Sequence, residues 1–409
     1  MKSAVTRGIM RGMRQTDIPS LATRWTLDPD VDFLNHGSFG ACPRAVLDAQ
    51  AALRARMERQ PVQFLVRDLW GLQDAARHAV ADFVDAEPGG LAFVRNASQG
   101  ISTVLRGLRL AAGDEVLLLD HAYPAVRNAA LFVTRAVGAR VVEAPVPFPG
   151  TTIEDLVAAV LGAVTDRTRL CILDHVTSPT GLVVPVEILV PALHARGVDV
   201  LVDGAHAPGQ VDVSVRRLDP AWYVANLHKW VCAPKGAAFL WTRADRREGL
   251  HPATISHGYG MCSDEKSKYR LEFDWTGTDD PTPALSVAAA LEAMGSMLPG
   301  GWPAVRAHNR ALALRGRELL CAALGVPAPT TDDLVGAMAA VPLPPADEVC
   351  DAFHTSPLQM ALAQQGFEVP VVSWPAAPHR LLRISAQLYN HEAQYARLAT
   401  VLGRVLGRG

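Results

Sequence analysis

Val198-Asp-Val-Leu-Val-Asp-Gly-Ala-His-Ala-Pro-Gly209 decides the fold. A largely apolar run of strand length stops on a carboxylate, Asp203, and passes straight into a turn of small residues. Outward from it, Leu91–Arg95, Glu115–Leu119, Arg140–Ala144, Leu170–Val176 and Ala237–Trp241 join Val198–Val202 as predicted strands. Pro124–Val137, Ile153–Val164 and Val186–Arg196 carry helical patterns between them. Such alternation predicts an α/β fold, a mostly parallel sheet flanked by helices on both faces. Ligands of these sheets sit beyond the carboxyl ends of the strands, where Asp203 falls.

Residues 252–282 are rich in Gly, Ser, Thr and Asp and read as loops. Helices are expected at Pro283–Met297 and Pro303–Leu324, and Val341–Pro345 reads as a break. A helix near Pro357–Gln365, a strand at Leu381–Ile384 and a terminal helix at His391–Leu406 complete a smaller C-terminal α+β unit. The expected organisation is an N-terminal segment 1–31, a large domain 32–285 and a small domain 286–409.

At 409 residues, with 49% hydrophobic and 20% charged side chains, the chain can bury a large core. A net charge of −2 leaves no footprint for nucleic acid or an anionic membrane. No apolar run is long enough to span a bilayer, and residues 1–20 lack the apolar core of a secretory signal. A cytoplasmic protein is expected. Cys42, Cys171, Cys232, Cys262, Cys321 and Cys350 are far apart and form no C-x-x-C pair, which speaks against a disulfide framework or zinc. His391-Glu392 opens like a zinc motif, but Tyr395 stands where the second histidine is needed, so no metal is expected.

Three segments carry chemistry. In Asn226-Leu-His-Lys-Trp230, Lys229 follows a predicted buried strand and precedes the turn-like Cys232-Ala-Pro-Lys-Gly236. A lysine there is costly to bury unless it is paired or used covalently; the plainer reading is a surface lysine. Asp203 could hold a cationic ring nitrogen, cap a helix or stabilise a turn. Since both residues end neighbouring strand patterns, they could converge on one crevice. A lysine for a Schiff base and a carboxylate for a pyridinium nitrogen are what pyridoxal phosphate chemistry requires. Arg95-Asn-Ala-Ser-Gln-Gly100 lies between a strand and a helix, where free N–H groups and the Ser98 hydroxyl suit a phosphate. Alternatively, Asn96 and Gln99 form an ordinary capping box.

Taken together, Asn96-Ala-Ser98, Asp120-His-Ala-Tyr123, Ser178-Pro-Thr-Gly181, Asp203 to Gly209 and His228-Lys-Trp230 resemble the class V aminotransferase group of fold-type I pyridoxal phosphate enzymes. The branch it is most similar to holds isopenicillin N epimerase and related C–S lyases. The resemblance runs from Phe33-Leu-Asn-His-Gly-Ser-Phe-Gly40 to Leu382-Arg-Ile-Ser-Ala-Gln-Leu-Tyr-Asn390. It implies pyridoxal 5'-phosphate on Lys229, which also shuttles the α-proton, and Asp203 against the pyridinium nitrogen. It places His206 and Ser178 near the phenolic oxygen, Tyr123 on the ring face, and Ala97, Ser98, Asn226 and His228 at the phosphate. Arg383, helped by Asn35, matches the position that binds the substrate carboxylate. Gly277-Thr278 resembles the segment that reaches a neighbouring subunit's phosphate, which implies a homodimer with shared sites. Where relatives commonly read Gly-Thr-Arg-Asp, this chain has Gly277-Thr-Asp-Asp280, and Asp279 disfavours a distal carboxylate on the substrate.

Cysteine desulfurases need a nucleophilic cysteine in the loop before that arginine, and none stands between Phe367 and Arg383. Cys350 lies upstream and reads as structural. The expected reaction is β-elimination from a cysteine S-conjugate, which needs one base. Epimerisation would need a second acid or base, with Tyr123 and His36 as candidates. Decarboxylating, oxidative and transaminating reactions stay open. The reading from another class is an inactive scaffold, against which the joint presence of Lys229, Asp203 and Arg383 argues.

Overall fold

The computed structural model describes residues 21–348 and 354–407, so residues 1–20 and Cys350 lie outside the described residues. After β1 (Asp32–Phe33), seven strands build the main sheet: β2 (Leu91–Val94), β3 (Glu115–Leu119), β4 (Arg140–Ala144), β5 (Thr168–Asp174), β6 (Asp199–Asp203), β7 (Trp222–Asn226) and β8 (Ala238–Thr242). Their spatial order is β2-β8-β7-β6-β5-β3-β4. Strands β3 to β7 are parallel, and β8 runs antiparallel to both of its neighbours.

Alternation along these strands feeds two separate cores. Leu117, Leu119, Leu173, Val200 and Val202 pack on one face with Leu156, Val160, Leu189 and Leu193 of the covering helices. Val116, Leu118, Leu170, Ile172 and Leu201 pack on the other with Ile101, Val104, Leu105 and Val126. Each such side chain contributes about 1.5–3 kcal/mol when fully buried, so the doubly covered sheet is a rigid platform for its strand ends. The helix Ile153–Gly162 begins in a capping box: Thr152 accepts from the Asp155 N–H, and Asp155 accepts from the Thr152 N–H. Thr152→Ala is expected to cost about 1 kcal/mol. A lowered urea midpoint with an unchanged slope would register that loss.

Four further strands follow: β9 (Met338–Leu343), β10 (Phe367–Glu368), β11 (Val371–Ser373) and β12 (Arg380–Ser385). Antiparallel β11, β12 and β9 form a small sheet with β12 in the centre. β1 adds in parallel to β10, which brings the Asn35–Gly40 segment beside it. The break expected at Val341–Pro345 is instead largely the end of β9. Pro342 is tolerated there because β9 is an edge strand and need not donate on its outer side. Within the expected loops 252–282 stands a short helix, Lys268–Phe273, whose Tyr269, Leu271 and Phe273 are buried. The helix Arg44–Arg59 has no apolar stripe to announce it, since it buries only Val46 and Gln50. Among the described residues, no helix is long and apolar enough to cross a membrane, and no cluster could hold a metal ion.

Candidate active site

The carboxyl ends of β5, β6 and β7 meet the N-terminus of the helix Ala97–Gly107 around a cavity of about 260 Å³. Ala97, Ser98, Tyr123, Ser178, Asp203, His206, Asn226, His228 and Lys229 all line it. Asp174, named by no motif, and Ser38, which the quoted Phe33–Gly40 segment contains without a role, line it as well.

Asp203 is the last residue of β6, and one of its oxygens accepts the Ala205 N–H at 2.9 Å. Lys229 stands three residues beyond β7, with Nζ 2.9 Å from His206 Nε2. Burial, opposed by the Asp203 charge, lowers the Lys229 ammonium to about 7. Burial also pulls His206 well below its ordinary value, and the neighbouring Lys229 adds to this. The Trp230 indole N–H donates to His206 Nδ1 at 3.4 Å, so neutral His206 carries its proton on Nε2. That proton points at the lone pair of a neutral Lys229 amine. Near neutral pH a large share of Lys229 is therefore uncharged and hydrogen-bonded to His206 rather than ion-paired.

At the helix start, Asn96 accepts the Gln99 N–H at 2.8 Å, and Gln99 returns a bond to the Arg95 N–H. The expected capping box is therefore only half formed, since Asn96 caps the helix while Gln99 accepts from the residue before the cap, and not every donor is used. Asn226 Oδ1 accepts the Ala97 N–H at 2.8 Å, which locks β7 to the helix. Ser98 keeps both its N–H and its hydroxyl for a ligand. His228 donates Nδ1–H to the Ala237 carbonyl at 2.8 Å and keeps Nε2. Burial lowers its pKa to about 4.

Arg383 comes from the central strand β12 and is buried. Its Nη1 donates to the Ser178 carbonyl at 2.6 Å, and its Nη2 donates to Ser38 Oγ at 2.8 Å and Asn35 Oδ1 at 3.4 Å. All of these acceptors are neutral. Nε has no partner, and no carboxylate among the described residues pairs with the guanidinium. Burial draws Arg383 down to about 10. Asn35 is oriented in turn by the Ser38 hydroxyl at 2.6 Å and by Glu368 at 3.3 Å.

Arg383 and Asn35 do not line the cavity themselves but bond to Ser178 and Ser38, which do, and three further expected residues stand elsewhere. Thr278 and Asp279 do not line this cavity in their own chain. Asp279 pairs with Arg95 at 2.6 Å beside a second cavity of about 340 Å³, which Lys235 and Gly277 also line. His36 is fully buried, with Nδ1 2.8 Å from the Tyr389 hydroxyl and Nε2 3.0 Å from the Lys229 carbonyl. Burial lowers it to about 3, and it does not line the cavity. Asp174 was hidden in the sequence because the strand was expected to run on to Val176, whereas β5 ends at Asp174 itself.

The chain is 36% identical over 405 residues to isopenicillin N epimerase of Amycolatopsis lactamdurans, covering 93% of this chain and 98% of that one. It is 30% identical over 408 residues to a probable chloroplastic L-cysteine desulfhydrase of Arabidopsis thaliana, covering 93% and 84%. A cysteine desulfurase of Escherichia coli superposes with a TM-score of 0.76 at 21% identity, over 97% of this chain and 99% of that one, which shows the shared fold. The family model for aminotransferase class-V matches residues 43–394, and the chain belongs to that family.

Proposed function

We propose that the protein is a pyridoxal phosphate-dependent enzyme acting at the α-carbon of an amino acid, and that its reaction is β-elimination with C–S cleavage of a cysteine S-conjugate. The observation that carries this reading is a cavity lined by the Lys229 amine, whose lining residues Ser178 and Ser38 hold a buried guanidinium with no carboxylate partner among the described residues, Arg383. The donor set suits the cofactor. Lys229 would hold its carbonyl carbon, Asp203 its ring nitrogen, Tyr123 its ring face, and Ser98 with His228 its phosphate. When bound, the cofactor supplies an electron sink that weakens the bonds at the substrate α-carbon.

The protein's own contribution follows from the contacts. Arg383 takes the substrate carboxylate into its unused donor position and fixes the α-carbon. Lys229, kept neutral by burial, removes the α-proton. A thiolate then leaves without a dedicated acid, because thiols ionise near pH 8.5. Epimerisation, supported by the 36% identity to an epimerase, needs a second proton donor. His36, locked between Tyr389 and the Lys229 carbonyl, is unsuited to that task, which leaves the half-exposed Tyr123. Incubation with a panel of S-substituted cysteines separates the two. Thiol and pyruvate support elimination, whereas inverted or racemised substrate without them supports epimerisation and overturns it.

Only a neutral amine attacks a carbonyl carbon. The rate of pyridoxal phosphate uptake by the apoprotein is therefore expected to rise with pH and level off above about 7. An ordinary lysine would still be climbing there, since its value lies near 10.4. Stopped-flow absorbance reads this directly, and a profile still rising through pH 9 would contradict it.

Thr278 and the neighbouring Asp279 would serve the site of a second copy of the chain in a homodimer, Asp279 by disfavouring acidic distal groups. Mixed dimers of Lys229→Ala and Thr278→Ala chains are expected to regain one intact site each. If mixing restores no activity, Thr278 does not act across the interface.

A further inference from the structure

Two buried carboxyl groups sit side by side in the cavity. Asp174 closes β5 and Asp203 closes β6, and the two are direct partners in the parallel register, so their side chains project from the same face of the sheet. Each is only 4% exposed, and both line the cavity that holds Lys229. Burial raises Asp203 as well, but the Ala205 N–H on Oδ1 opposes this, as does any positive charge on Lys229. No other side chain donates to Asp174 among the described residues. Two adjacent anions in so dry a site cannot both persist, and the proton goes to the one with less support.

We propose that Asp174 is a positioning residue of the cofactor cradle, a neutral carboxyl group that shares its proton with Asp203 so that the pair presents one negative charge to the ring nitrogen. The groups facing the pair agree. Behind it, the Tyr223 hydroxyl lies 2.9 Å from His175 Nδ1, and both stay uncharged through burial. Cys171 on the same strand is held as a thiol. In front stand Lys229 and neutral His206. Burial and the Asp203 charge both drive Asp174 well above the ordinary carboxylate range. Because the two carboxyl groups share one charge, loss of Asp203 lets Asp174 ionise in its place.

This inference rests on the cofactor reading for its purpose, and the test separates the two. The infrared carbonyl stretch of a neutral carboxyl group is compared in wild-type and Asp174→Asn apoprotein, and pyridoxal phosphate affinity is measured by absorbance titration. The band is expected to be lost in Asp174→Asn. That variant keeps a neutral donor beside Asp203 and is expected to bind the cofactor within about threefold of wild type. Asp203→Asn is expected to weaken binding by about tenfold, and Asp203→Asn with Asp174→Asn by about tenfold more. Asp174→Ser gives the same infrared reading if the asparagine variant does not accumulate. An unchanged band, or a double variant that binds like Asp203→Asn alone, overturns the proposal. If wild-type protein takes up no pyridoxal phosphate, the cofactor reading fails, and the infrared comparison still decides which carboxyl group holds the proton.

Discussion

Lys229→Ala is expected to abolish turnover, by about ten thousand-fold or more, and to leave no cofactor that borohydride can fix to the chain. Both effects come from the same atom. Nζ is the neutral amine in the cavity, 2.9 Å from His206, and no second lysine lines that cavity to replace it. Lys235, the nearest in sequence, donates to the Gly40 carbonyl at 2.6 Å and lines the neighbouring cavity. The variant should fold at least as well as wild type. Burial drives the ammonium to about 7, which means that holding Lys229 in place already costs stability. A melting temperature equal to or above that of wild-type apoprotein, together with lost turnover, separates this role from a structural one. A small primary amine added to the solution should restore part of the activity by occupying the vacated space. Full activity without it would remove Lys229 from the reaction.

Much of this was legible in the chain, for a physical reason. Strands covered on both faces are written as short apolar runs, and the polar residue that ends such a run is pinned to the sheet's rim. Asp203 after Val198–Val202 and Lys229 beyond Asn226 could therefore be placed from sequence alone. Asp174 could not, because the apolar pattern resumes at Val176 and carries the eye past the carboxylate. Glu368 was equally silent, and Ser38 stood inside the quoted Phe33–Gly40 segment without a role to mark it. They act through Arg383 and Asn35, across contacts of more than 300 residues of sequence separation. The edge strand β9 was masked by its own proline, since only the three-dimensional order tells an edge from a centre. His36 was legible as a residue but not as an environment. Its place between Tyr389 and the Lys229 carbonyl, which bars it from proton transfer, depends on how the two ends of the chain meet.

Arg383→Lys is expected to raise KM for the amino acid strongly while leaving the cofactor bound. The guanidinium makes two fixed contacts, to the Ser178 carbonyl at 2.6 Å and to Ser38 at 2.8 Å, and holds Nε in reserve. An ammonium can reproduce one of these directions but not the fork that grips a carboxylate. Charge is lost along with shape. The same burial that brings arginine to about 10 leaves it cationic at neutral pH, whereas the Lys229 ammonium nearby falls to about 7. Burial would lower an ammonium at position 383 in the same direction, so part of its charge is lost when substrate arrives. Removing one member of a buried charge pair costs about 2–5 kcal/mol, or roughly thirty-fold to several thousand-fold in kcat/KM. The two causes can be told apart by pH. If discharge contributes, KM of the variant should improve as pH falls below neutrality, while KM of the wild type does not follow it. If Arg383→Lys matches wild type on every amino acid tested, the substrate carboxylate is bound elsewhere, and the unpartnered Nε of Arg383 serves no ligand.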